Sequence, residues 1–171
     1  MKSMLLLLLM SLNMLAVNVG EVPKELTLSG ENGGLAQDGS SWSSSSIKDK
    51  VHVLFYVDPD EKDVNDEFFE VLDAKEFNST VVGRVAIVNL AATWKPNYVI
   101  ETLLSSRQEV LPDTVFLKDK KSILVKEWSL ADDASNVLIF SKKGEVLFYK
   151  AGKLSADEIK EAIEIIESNI K

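Results

Sequence analysis

Val51-His52-Val53-Leu54-Phe55-Tyr56-Val57, closed by Asp58-Pro59, decides the fold of this chain. The run is β-branched, aromatic or aliphatic throughout, interrupted only by His52, which is the pattern of a strand buried on both faces. The period then changes. From Asp63 onward Val64, Phe68, Val71 and Leu72 recur at helical spacing, with Asp63 placed as the N-cap and Asp66 and Glu67 in the first turn, where carboxylates suit the helix dipole. Arg84-Val85-Ala86-Ile87-Val88-Asn89-Leu90 is a second apolar run, one helix further on. Strand, helix and strand in that order form a βαβ unit, parallel and right-handed, so the class is α/β.

Working outward, Pro96-Asn97 opens an amphipathic helix carrying Tyr98, Val99, Ile100, Leu103 and Leu104, which ends before Leu111-Pro112. Val115-Phe116-Leu117 reads as a short strand, and Ile123-Leu124-Val125 through Trp128 as a segment packed on the sheet edge. Val137–Phe140 and Glu145–Tyr149 flank Ser141-Lys142-Lys143-Gly144, a hairpin with glycine where positive φ is needed. Ser155-Ala156-Asp157-Glu158 is a capping box, and Ile159, Ala162, Ile163, Ile166 and Ile170 form one stripe of a final helix.

Ahead of the central strand, residues 21–50 are polar and turn-rich. Leu26-Thr27-Leu28 and Leu35-Ala36 suggest two arms of a hairpin, with Trp42 packing down as a plug. Lys2 followed by Met4–Met10 and a weaker apolar tail to Ala16 has the layout of a signal peptide. Cleavage is expected after Ala16, within a window of 16–20. The run is too short and too interrupted to span a bilayer, which takes about 20 apolar residues. The expected product is therefore an exported periplasmic protein without stable membrane insertion, organised as an extension (17–50) and one main domain (51–171).

Composition narrows the chemistry. The 171 residues include no cysteine and a single histidine, His52. Thiol mechanisms, thiolate metal sites, histidine-rich metal sites and Ser-His-Asp triads all lack material. With 27 acidic against 19 basic residues the net charge is −8, which repels nucleic acids and anionic lipid surfaces. What remains is carboxylate chemistry or binding.

The order strand, helix, strand, helix, hairpin, helix behind an N-terminal extension resembles thioredoxin-fold proteins of the peroxiredoxin and cytochrome-maturation type. More narrowly, Val115–Leu117 to Trp128-Ser129-Leu130, Ser135-Asn136-Val137-Leu138-Ile139-Phe140-Ser141-Lys142-Lys143-Gly144-Glu145-Val146 and Leu154–Glu158 resemble the YtfJ family. That resemblance implies a periplasmic, thioredoxin-like domain over residues 20–171, and it brings no catalytic residues with it. Thioredoxin enzymes keep Cys-x-x-Cys where the first long strand enters its helix; here that junction reads Asp60-Glu61-Lys62-Asp63. The facing loop carries Ser135-Asn136 where those enzymes have a cis-proline. Disulfide exchange and thiol peroxidase activity are thereby excluded.

The remaining candidate site is acidic. Asp58, Asp60 and Asp63, with Glu61, lie at the carboxyl end of the central strand, where open α/β sheets bind ligands. Asp132, Asp133 and Asn136 are expected opposite them. Together they suggest either hard oxygen ligands for Ca2+ or Mg2+, at Asp58, Asp60 and Asp63, or a surface for an envelope protein partner. Capping and the helix dipole explain the same acids without any ligand, and no twelve-residue calcium loop is present. A carboxylate pair working as acid and base in glycoside hydrolysis would need a defined separation. His52 is either a lone general base or a hydrogen-bonded structural residue. Asn89 is expected either to satisfy a buried backbone group or to line a pocket at the strand end, the first being favoured, and Trp42, Trp94 and Trp128 to pack in the core or at its edge.

Overall fold

A computed structural model describes residues 17–171, so the expected signal peptide (1–16) lies outside the described residues. Strands β1 (Thr27–Leu28), β2 (Gly33–Leu35) and β3 (Trp42–Ser43) precede β4 (Val51–Val57), α1 (Asp66–Ala74) and β5 (Val82–Asn89). There follow α2 (Asn97–Val110), β6 (Thr114–Asp119), α3 (Ile123–Trp128), β7 (Ser135–Phe140), β8 (Val146–Ala151) and α4 (Ala156–Asn169). The main sheet runs β2-β6-β5-β4-β7-β8, with β4, β5 and β6 parallel and the other pairings antiparallel.

The β4 run sits in the middle because both of its faces have apolar cover. Val51, Val53 and Phe55 pack with Phe68, Leu72, Ile159 and Ile163 of α1 and α4, while Leu54 and Tyr56 point to the other face, toward Leu28, Trp42, Leu117, Leu124 and Trp128. Each such side chain withdrawn from water contributes about 2 kcal/mol. On β5, Ala86 and Val88 support Ile100 and Leu104 of α2. The βα unit, the helix opened by Pro96, the Ser141–Gly144 hairpin with Gly144 at φ +82° and the final capped helix all stand as expected. Strand β6 extends the expected Val115–Leu117 at both ends.

Three local expectations are corrected. Leu28 pairs with Trp42, not with the Leu35 region; Leu35 instead joins β6 opposite Leu117, so the leading segment splits between two sheets. Gly33 and Gly34, at φ +138° and +139°, permit this: a Cβ on Gly33 would meet the Lys118 carbonyl oxygen at 1.9 Å. Residues 17–50 are thus part of the same core as the main domain, and Trp42 is buried in it as a plug. Second, α1 is preceded by Asn65, not capped by Asp63. The backbone from 58 to 66 passes through successive turns, Glu61 N to Asp58 O (3.0 Å), Val64 N to Glu61 O (3.3 Å) and Asp66 N to Asp63 O (3.3 Å), which delay the helix; the exposed Asp63 carboxylate pairs with Lys62. Third, 123–128 is a short helix whose Leu124 and Trp128 enter the core.

Candidate functional site

The carboxyl ends of β4, β5 and β6 and the start of β7 meet in a buried polar layer. Tyr56, near the end of β4, donates its hydroxyl to Asp119 Oδ2 (3.1 Å) at the end of β6. Asp119 is fully buried and also accepts from Lys121 N (3.1 Å) and Leu124 N (3.0 Å), so it anchors the first turn of α3. Burial, followed by the nearby Asp119 carboxylate, pushes the Tyr56 phenol upward and keeps it a neutral donor. Asn136, level with Tyr56 in the register, donates to Tyr56 O (3.3 Å) and Ala131 O (2.9 Å) and accepts from Ala131 N (3.1 Å) and the Tyr149 hydroxyl (3.1 Å). It was expected on a binding surface; with none of its area exposed and its amide saturated, it is a clamp within the core. Asn89 accepts from Ala91 N (3.2 Å) and the Ser122 hydroxyl (3.0 Å) and donates to Asp132 (3.2 Å), as expected of a residue satisfying local backbone. Among the described residues no buried side-chain N or O atom lacks a partner.

The acidic loop lies over this layer. Asp58 is 4% exposed, and its Oδ1 accepts from Asp60 N (2.8 Å). Burial, then the charges of Asp60, Asp133 and Glu61, raise its carboxyl above the ordinary range, against the lowering effect of that one hydrogen bond. The loop carrying Asp132 and Asp133 does face Asp58, as expected: Asp58 N donates to Ala134 O (3.1 Å). Asp60 behaves differently. It accepts from Thr93 Oγ1 (3.1 Å) and pairs with Lys95, and these bonds hold its carboxyl below the usual range.

The carboxylates named for a divalent cation therefore have separate engagements: Asp58 with backbone, Asp60 with Lys95 and Asp63 with Lys62. Among the described residues no group of three or more His, Asp or Glu side chains is placed to hold a metal ion. Glu61, Asp132 and Asp133 carry no ion pair among the described residues, and Asp132 and Asp133 are exposed.

His52 is buried, and its Nδ1 lies 3.0 Å from Lys50 O, a carbonyl that only a protonated nitrogen can approach. Burial lowers its pKa, so the ring is neutral and structural. Of the tryptophans, Trp42 and Trp128 are buried as expected, with Trp128 Nε1 donating to Lys24 O (2.8 Å). Trp94 is not. It is 86% exposed, between Thr93 and Lys95, the two residues that hold Asp60, and Tyr98 in the first turn of α2 is 71% exposed. The sequence carried a signal for this: Trp94 sits in the polar turn Thr93-Trp94-Lys95-Pro96, outside any apolar period.

Comparison with known proteins agrees with the geometry. The fold matches solved structures at low identity. StoA from Bacillus subtilis aligns with a TM-score of 0.52 at 20% identity, over 78% of this chain and 97% of that one. The exposed lipoprotein thioredoxin Etrx1 from Streptococcus pneumoniae gives 0.54 at 14%, over 82% and 98%. BsSco, of the Sco family of cytochrome c oxidase assembly proteins, gives 0.58 at 12%, over 91% and 98%. The architecture is thus thioredoxin-like, without the thiols. Among sequences, an uncharacterized protein of Haemophilus influenzae is 27% identical over 134 residues, 76% of this chain and 72% of that protein. The uncharacterized protein YtfJ of Escherichia coli K12 is 22% identical over 134 residues, 77% and 73%. The family described as "Bacterial protein of unknown function (YtfJ_HI0045)" matches residues 13–169, and this chain belongs to it.

Proposed function

We propose that this protein is an exported binding module of the cell envelope, built on a thioredoxin-type scaffold and carrying out no thiol-redox chemistry. The observation that carries the reading is the β4–α1 junction. Where a thioredoxin-fold enzyme presents its reactive thiols, this chain presents Asp60 bonded to Thr93 and Lys95, with Trp94 standing in solvent between them. No cysteine exists elsewhere to replace the missing nucleophile. A fully hydrogen-bonded polar layer beneath strand-end loops that carry an exposed aromatic is the anatomy of a recognition surface. The charge of −8 turns that surface toward proteins in preference to nucleic acids or anionic lipids.

The test is in-cell crosslinking of the tagged full chain in a bacterial host that carries a member of this family, with an unrelated exported acidic domain as control. One envelope protein captured with the wild type and lost with Trp94→Ala supports the reading; capture indistinguishable from the control contradicts it. A second reading places a divalent cation at the loop. It is favoured by the nearness of Asp60, Asp133 and Glu61, whose charges add to the effect of burial in raising Asp58, since a cation relieves such crowding. Calcium or magnesium added to chelator-treated protein then raises the melting temperature by mass action, and an unchanged transition rejects it.

A further inference from the structure

We infer that the ledge formed by Trp94 and Tyr98 is the docking surface for a basic protein segment, one of whose arginine or lysine side chains lies on the Trp94 ring beside the carboxylates of Glu61, Asp132 and Asp133. This rests on the binding-module reading and adds to it the place and the chemistry of the partner. The core does not require these aromatics at the surface. Helix α2 is already seated through Ile100 and Leu104 against Phe116, while Trp94 and Tyr98 remain 86% and 71% exposed. A large aromatic left in water on a well-anchored turn is the signature of a contact residue.

Charge selects the occupant. The two lysines within these loops are consumed, Lys95 by Asp60 and Lys62 by Asp63. Glu61, Asp132 and Asp133 are left without an ion pair among the described residues, and Asp58 beneath them has only a backbone donor. The Asp60 bonds to Thr93 and Lys95, and the Asn89 bond to Asp132, tie the segment that carries Trp94 to both acidic loops, so the exposed aromatics and the uncompensated charges share the strand-end face of the sheet. An aromatic face flanked by fixed negative charge attracts ammonium and above all guanidinium groups. The same field repels phosphate-bearing partners.

The experiment is calorimetric titration of the full chain with an acetylated, amidated hexa-arginine peptide, with hexaglutamate as the charge-reversed probe. Trp94→Ala is expected to weaken hexa-arginine binding about tenfold, and Glu61→Gln with Asp133→Asn by a similar factor. Glu70→Gln with Glu161→Gln, exposed acids elsewhere, should change it less than about twofold. Melting temperatures report that the variants are folded. Equal affinity for Trp94→Ala, equal losses for the two charge pairs, or no binding of hexa-arginine at low salt each overturns the inference. If an envelope partner is captured in cells but its capture survives Trp94→Ala, the binding-module reading can stand while this surface is rejected; absence of any specific partner rejects that reading itself.

Discussion

Helix α4 starts with a cap built from its own residues: Ser155 Oγ accepts from Glu158 N (3.3 Å) and the Glu158 carboxylate accepts in turn from Ser155 N (2.8 Å). Helix α1 starts at Asn65, whose side chain ignores the helix. It donates to Ser135 Oγ (2.9 Å) and Gly152 O (3.1 Å) and accepts from Leu154 N (2.9 Å), fastening the helix to the start of β7 and the exit of β8. One helix start serves local stability; the other serves the placement of the strand-end loop. The first turn of α1 compensates with Asp66 and Glu67 against the dipole. The edge of the candidate site is thus held from a distance, by core polar groups, while Glu61, Asp132 and Asp133 at that edge carry no ion pair among the described residues.

The sharpest way to break this contrast is Asn65→Ala. It strands Leu154 N and Gly152 O in a buried setting, and a loss of about 3 kcal/mol is expected, near 8 °C in melting temperature. Thermal unfolding checks it, and a loss under about 1 kcal/mol would show that the distant fastening is dispensable. Ser155→Ala should cost about 1 kcal/mol, the ordinary worth of a cap, measured by denaturant titration.

A finer test uses the two ends of β4. His52 is held neutral, so below its unfolded pKa of about 6.5 the unfolded chain binds the extra proton; its contribution is present above that pH and is lost as pH falls. Asp58 runs the opposite way. Its raised pKa makes the folded chain bind the extra proton, so its charge disfavours folding at neutral pH and the penalty is relieved on acidification. His52→Gln should flatten the fall in stability between pH 7 and 5, whereas Asp58→Asn, which keeps the acceptor for Asp60 N, should melt no lower than wild type at pH 7. The smallest effect is expected for Asp63→Ala, within about 0.5 kcal/mol, since its carboxylate pairs only with exposed Lys62. A loss of about 1 kcal/mol by denaturant titration would restore it as a cap.

These contrasts also mark what could be read in the sequence. The β4 and β5 runs, the Gly144 turn and the Ser155 box are legible because the residues that decide them lie within a few positions of one another. Asp63 misled because the site is an acid before an apolar period, and only the turns at 58–66 show that the helix begins later. Asn65 and Asn136 carried no local signal; their partners come from strands far along the chain. Leu35 was claimed by Leu117 of β6 for the same reason. The facing of the 132–133 loop and Asp58 followed from topology, and the exposure of Trp94 was legible in its polar turn, whereas the bonds of Thr93 and Lys95 to Asp60 join residues more than thirty positions apart and left no local signal.

The measurement closest to the central claim is photocrosslinking in living cells with a photoreactive phenylalanine in place of Trp94, against the same group in place of exposed Glu161 on α4. The account predicts one reproducible protein adduct from position 94 and none from 161. Equal labelling from both positions, or none from 94, would contradict a partner-binding surface at the strand end.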